Sequence, residues 1–369
     1  MKETTIGELC SEEKENAQIF NFNSINYLET GDIIENKIIS YSHLIVNVDK
    51  IPSRARKKAK KEEILFSLVR PNQKHYGIVD ENWPEDLVVS TGFAVIKANL
   101  DIDPYYLYYL LTNEVNTNLL QSIAEQSVTS YPSITFNDIA NVKVKIFQKL
   151  EIQKNISHFL KSIDKKIEIN NRINDNLQQQ LKSFFSFYFL QNINNECEKV
   201  FLNDICEMYQ PKTIGMKELT SNGKYFVYGA NGIIGKYYMY NHTEPEIAIT
   251  CRGASCGAIQ MTMPFSWITG NAMVIKPFSN FPYKEYIYYY LLAKNPDFLC
   301  SGSAQPQLTR ENLAFYTIHI FPKEDMLVFE KCATEIRKMI IKNQQENNVL
   351  LELRNWLLPL LMNGQITIK

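Results

Sequence analysis

Six basic residues crowd into eight positions: Arg54, Arg56, Lys57, Lys58, Lys60 and Lys61. Such a run is either a solvated face or a patch that neutralises phosphates, and the sequence leaves both readings open. Phosphate contacts position a protein without reading sequence; base edges are read by Arg, Asn, Gln, Ser or Tyr held on loops. Two stretches offer side chains of that kind. One holds Arg70, Asn72, Lys74, His75 and Tyr76, the other Arg252 and Ser255. Two polar loops add Ser130 with Tyr131, and Ser303 with Gln305.

Catalytic chemistry finds less support. The glycines from Gly229 to Gly235 fit neither a dinucleotide fingerprint nor a P-loop, because Lys236 is followed by Tyr237 where Ser or Thr is needed. They read instead as a tight turn between strands, with glycine supplying positive φ. His43, His75, His158, His242 and His319 are scattered, and none sits in a Gly-x-Ser-x-Gly or His-Glu-x-x-His context. Seven cysteines (10, 197, 206, 251, 256, 300 and 332) contain no Cys-x-x-Cys, so they read as free thiols of a cytoplasmic protein rather than a disulfide frame. Cys251, Cys256 and His242 make a poor zinc set. No catalytic and no metal-binding residue is assigned.

The elements that must hold those loops follow from length and repetition. A chain of 369 residues has room for roughly two to three domains. Its 45% hydrophobic and 21% charged residues suit a packed protein and exclude a disordered one. With 39 Lys+Arg against 40 Asp+Glu, no charge excess advertises a partner. The longest apolar run, 286–293, is too short to span a membrane, and the first residues lack the apolar core of a signal peptide. The expected compartment is therefore the cytoplasm. Thr91-Gly92-Phe93-Ala94-Val95-Ile96-Lys97 returns as Thr269 to Lys276, the aromatic run 105–111 as 286–292, and Pro132-Ser133-Ile134-Thr135 as Pro306-Gln307-Leu308-Thr309. The offset drifts between blocks, as insertions in a duplicated domain would make it drift.

Each copy ends in a helical tract. Apolar residues recur at alternating steps of four and three from Ile156 to Tyr188, and again from Phe329, which is the seam of a coiled coil. About 40 residues at 1.5 Å each make a rod of roughly 60 Å, too long for a core helix of a small domain. Asn170 and Asn174 interrupt the first seam, Asn343 and Asn347 the second. They are expected to meet and set the register of an antiparallel pair, and Pro359 to end the second helix. The predicted architecture is α/β (α+β): two similar small mixed domains, 1–148 and 193–323, separated by a long antiparallel two-helix coiled coil built from 149–192 and 324–369.

This order of domain, helix, domain, helix resembles the specificity subunit of type I restriction–modification systems over essentially the whole chain. The resemblance rests on Tyr228 to Gly235, Cys251 to Gly257, Trp267 to Asn271, Leu65 to Asn72, Ser90 to Phe93 and Leu357 to Gly364. It implies two target-recognition domains, each reading one half of a split sequence in double-stranded DNA. It also implies two methylation subunits and ATP-dependent restriction subunits as partners, with S-adenosylmethionine, magnesium and ATP held by them and no cofactor in this chain. The two halves differ in the signature segment, Leu68-Val69-Arg70-Pro71-Asn72 standing against Thr250-Cys251-Arg252-Gly253-Ala254, so they should read different half-sites. A degenerate stand-alone DNA methyltransferase and a coiled-coil adaptor without DNA contact are the alternatives. Against the first, Asp103-Pro104-Tyr105-Tyr106 and Asn295-Pro296-Asp297-Phe298 both lack the second proline of an adenine methyltransferase loop; helix-cap and helix-end turns explain them.

Overall fold

A computed structural model describes residues 1–126, 132–191, 197–220, 222–230, 232–302 and 306–368. The chain packs as two units, Met1–Glu168 with Asn347–Lys369, and Ile169–Glu346. Each long helix therefore contributes to both.

The first unit carries an antiparallel sheet in the order Cys10–Glu12, Phe93–Ala98, Ile64–Ser67, Tyr76–Ile78. A second sheet runs Ser42–Ile45, Ser24–Leu28, Leu87–Ser90, Ala55–Lys58, its inner pair parallel. Lys2–Thr5 pairs with Lys143–Ile146. In the second unit the order recurs as Cys206–Tyr209, Ala272–Pro277, Ile247–Thr250, Ile259–Met261. The partner sheet is Gly232–Tyr237, Tyr225–Gly229, Trp267–Ile268, again with one parallel pair, and Glu198–Phe201 joins Thr317–Ile320. The repeated blocks form the same elements in both copies. Phe93–Ala98 and Ala272–Pro277 each begin with four buried residues, as a strand covered on both faces requires.

The aromatic runs form helices Pro104–Thr112 and Lys284–Ala293, both with long consecutive stretches of buried residues. Asp103 caps the first by accepting from the Tyr106 N–H at 2.8 Å, with Pro104 in the opening turn. These helices cannot be covered by the sheets alone. In the first unit Tyr109 donates to Asp164 at 2.6 Å, and Asp164 accepts from Arg354 at 2.9 Å, so both long helices close over it. In the second unit Phe185 packs on Tyr286 and Phe329, and Arg337 grips Glu285 with two bonds of 2.9 Å.

The long helices run Leu150–Phe185, passing into a π-helical turn at Ser186–Leu190, and Lys323–Met362. Contrary to the expectation for Pro359, the second helix continues three residues beyond it. A proline so near a C-terminus forfeits one backbone bond and cannot unwind the turn. Within the second unit the helices are antiparallel: Phe184 stacks on Phe329, Asn343 Nδ2 donates to Asn174 Oδ1 at 2.9 Å, and Asn170 donates to Glu346 at 2.8 Å. Asn170 and Asn174 are buried there; Asn347 is buried in the first unit.

One expectation fails on the cysteines. Cys256 and Cys300 are joined as a disulfide, with Cα atoms 6.4 Å apart. A 44-residue separation hid a proximity that only the folded turns create.

Replacing Asn170, Asn174, Asn343 and Asn347 by Leu should raise the unfolding free energy by about 2–4 kcal/mol while permitting slipped or intermolecular pairing. Denaturant titration with light scattering reads both; a destabilised, strictly monomeric variant would refute the register role. A second expectation concerns Glu330, which accepts from the Glu285 and Tyr286 N–H groups at 3.0 and 2.9 Å. Burial pushes its carboxyl up to about 7. Its folded pKa lies above the unfolded one, so its favourable contribution is complete below about pH 4.5 and is lost as pH rises through 7. Glu330→Gln should therefore gain about 1–2 kcal/mol on the parent between pH 4.5 and pH 8, after allowing for solvent screening. Parallel urea melts across that range would show the gap widening.

Candidate nucleic-acid interface

In the first unit, strand Ile64–Ser67 runs into a turn clasped by main-chain bonds. Leu68 N–H donates to Gly92 O at 2.8 Å, Ile134 N–H to Leu68 O at 2.9 Å, and Arg70 N–H to Pro132 O at 3.0 Å. A short 3-10 turn, Pro71–Gln73, lies between Arg70 at φ 48° and Lys74 at φ 58°. Left-handed residues other than glycine cost about 1 kcal/mol each, and such strain concentrates at binding turns. Asn72 is exposed, and its N–H donates to Gln121 at 3.2 Å. The Arg54 carbonyl accepts from Thr91 N–H at 3.0 Å, which sets the basic run beside the Gly92 turn.

The second unit repeats the clasp. Cys251 N–H donates to Asn271 O at 2.9 Å, Leu308 N–H to Cys251 O at 2.9 Å, and Gly253 N–H to Pro306 O at 3.1 Å. Arg252 is exposed and bridges Gln307, as Val69 bridges Ser133. Thr250 Oγ1 and Ser255 Oγ both donate to Ala230 O, at 2.6 and 3.0 Å, tying the Tyr225–Gly229 hairpin to the turn.

These bonds fix which residues correspond, and they shift the sequence match by one. Leu68 stands with Cys251, Val69 with Arg252 and Arg70 with Gly253, whereas the signature segments set Arg70 against Arg252. Arg70 therefore occupies the left-handed position that Gly253, at φ 88°, fills in the other copy. A one-residue shift turns side chains to opposite faces, so the two arginines are not equivalent.

The other candidate residues divide. Tyr76 is not available: it is 6% exposed and stacks on Phe66 with ring centroids 5.8 Å apart. Its place on a covered strand puts it in the core. Lys57 is largely buried and bonds Glu12 and Phe93 O at 3.1 and 2.7 Å, Lys60 pairs with Glu15, and Lys61 with Glu81 at 3.4 Å. Half of the basic run is thus engaged with carboxylates, which leaves Arg54, Arg56 and Lys58 as its stronger phosphate candidates. Lys58 lies 5.9 Å over the Phe22 ring, and Arg56 Nε donates to Ser53 O. Lys74 pairs with Glu35 at 2.5 Å, and His75 Nδ1 lies 2.6 Å from Ile33 O. Ser130, Tyr131, Ser303 and Gln305 lie outside the described residues. The Ala230 carbonyl is an anchor that the sequence does not reveal, whereas the matched prolines, whose carbonyls hold both turns, are visible in it.

Gly253 and Gly257 share left-handed φ of 88° and 87°, yet only one is crowded. A Cβ on Gly257 would stand 2.8 Å from Asp297 Cα, whereas one on Gly253 would meet open space. Gly253→Ala should cost about 1 kcal/mol, from backbone strain alone. Gly257→Ala should cost about 2–4 kcal/mol, because backbone must move as well. Chemical denaturation of the two variants tests the ordering; equal losses would mean the Asp297 contact is soft.

Comparison with known proteins bears on this arrangement. Over 223 residues the chain is 30% identical to the type I restriction enzyme HindI specificity subunit of Haemophilus influenzae, covering 59% of this chain and 47% of that protein. The chain thus spans about half the length of that relative. It is 23% identical over 321 residues to the type I restriction enzyme MjaIX specificity subunit of Methanocaldococcus jannaschii, covering 77% and 74% of the two chains. The crystal structure of a type I restriction–modification S subunit from M. genitalium superposes with a TM-score of 0.60 at 18% identity, over 98% of this chain and 96% of that one, a likeness of fold. The family described as type I restriction modification DNA specificity domain matches residues 1–179 and 194–351, both copies of the clasped turn included, and the chain belongs to that family.

Proposed function

We propose that this chain is the DNA sequence-specificity subunit of a type I restriction–modification complex. Each unit reads one half of a split target in double-stranded DNA. The observation that carries the reading is the duplicated turn: the same main-chain clasp occurs once per unit and presents different side chains. A scaffold repeated with changed side chains is what two unlike half-sites need. Arg70 and Asn72 in the first unit, and Arg252 and Ser255 in the second, are the proposed base readers. Arg54, Arg56 and Lys58 are proposed to neutralise phosphates.

On this reading the chain is a non-catalytic recognition subunit. Two methylation subunits carry S-adenosylmethionine and methylate adenine; ATP-dependent restriction subunits, with magnesium, cleave unmodified DNA. The complex works in the cytoplasm. Among the described residues no helix is long and apolar enough to cross a membrane.

Co-expression with a methylation subunit, followed by methylome sequencing, tests the proposal. Exchanging residues 193–323 for the matching segment of another family member should change one half of the methylated sequence and leave the other half unchanged. Arg70→Ala should weaken discrimination in the retained half by about 1–3 kcal/mol for each base that the arginine reads. Methylation independent of sequence would refute the reading. Binding of S-adenosylmethionine by this chain alone in calorimetry would favour a stand-alone methyltransferase instead.

A further inference from the structure

The Cys256–Cys300 pair joins the two segments that build the second unit's turn. Cys256 closes the turn that bears Arg252 and Ser255, its N–H donating to Gly253 O at 3.0 Å. Cys300 precedes Ser301, which exchanges two main-chain bonds of 2.9 and 2.8 Å with Gln307. Gln307 in turn bridges Arg252. The sulfur link therefore completes a ring of which the other closures are hydrogen bonds. Both cysteines are half-buried. Cys10, Cys206 and Cys251 are buried, and burial raises their thiols, that of Cys10 up to about 12. Such thiols are poor nucleophiles. By the correspondence of Arg70 with Gly253 and Pro132 with Pro306, the first unit places Gln73 and Gln126 where the second has Cys256 and Cys300. Only one recognition turn carries the link.

We propose that Cys256 and Cys300 form a reversible redox link that pins the second unit's recognition turn, so that thiol–disulfide exchange tunes the reading of one half-site and not the other. This rests on the DNA-reading function proposed above. The oxidant is a low-molecular-weight disulfide. One cysteine thiolate attacks it and expels one small thiol; the second thiolate then displaces the first sulfur's partner as another small thiol. One sulfur–sulfur bond breaks and one forms, the two cysteines are oxidised and the small disulfide is reduced to two thiols, which take up the two cysteine protons. The linked turn is pre-organised, and a turn that cannot re-pack around an altered base discriminates better than one that can.

The test uses the full chain assembled with a methylation subunit, equilibrated with glutathione disulfide or with dithiothreitol. Peptide mass mapping reports the link, and competition binding uses duplexes altered in either half of the methylated sequence. Oxidised wild type should discriminate against changes in the second half about 3–10-fold better than reduced wild type, with no change for the first half. Cys256→Ser and Cys300→Ser should each abolish that difference and match reduced wild type. Equal discrimination in both states despite a mapped link overturns this proposal alone, as does an equal change at both halves, or no link under oxidant. Absence of sequence-specific binding in both states overturns the DNA-reading function itself, and the tuning falls with it.

Discussion

Neither small domain closes its own core, and much else in the molecule follows from that. In the first unit the cluster around Tyr106 and Tyr109 is completed by Ile156, Leu160, Leu361 and Met362 from the long helices. In the second, Leu181, Phe185, Phe329 and Ala333 perform the same office for Tyr286 and Tyr289. An aromatic helix apolar all round must be covered on every side, and a four-stranded sheet covers only one. Segments of both long helices are thus part of each domain's interior. Their rotation about their own axes is fixed by what they bury.

That dependence explains where the charges go. Asp164 and Arg354 meet over Tyr109 in one unit, and Glu285 and Arg337 lie beneath the seam of the other. Glu285–Arg337 is buried and Asp164–Arg354 half-buried; a buried ion pair contributes little net stability against an apolar alternative, but removal of one partner is costly. Such pairs penalise any packing in which a helix face is turned away. The asparagines act likewise along the seam, where Asn343 can donate to Asn174 only in register.

Much of this is legible in the sequence because the duplicated blocks are the residues that pack and hydrogen-bond. The prolines at 132 and 306, the strands at 93 and 272 and the aromatic helices recur because the same main-chain bonds and the same burial recur. What is not legible follows from geometry that composition does not encode. Like residues align Arg70 with Arg252, while hydrogen bonding pairs it with Gly253. Tyr76 reads as part of a polar loop, yet it opens a strand whose three residues are all buried. Cys256 and Cys300 meet where Gly257 lets one turn lie close against the backbone at Asp297. Charge counting does not tell that Lys57, Lys60 and Lys61 already have carboxylates beside them.

The clasp on each turn is made almost wholly by main-chain atoms, those of Leu68, Arg70, Pro132 and Ile134 in one copy and of Cys251, Gly253, Pro306 and Leu308 in the other. A hydrogen bond between backbone groups is indifferent to the side chain carried by either residue. Outside the left-handed positions, the turns can therefore exchange their exposed residues with little effect on folding, and each can do so without reference to its twin. On the reading proposed above, foldability and vocabulary are stored in different atoms of the same residues, so a lineage could acquire a new word in one half of its lexicon while the grammar stays as it was.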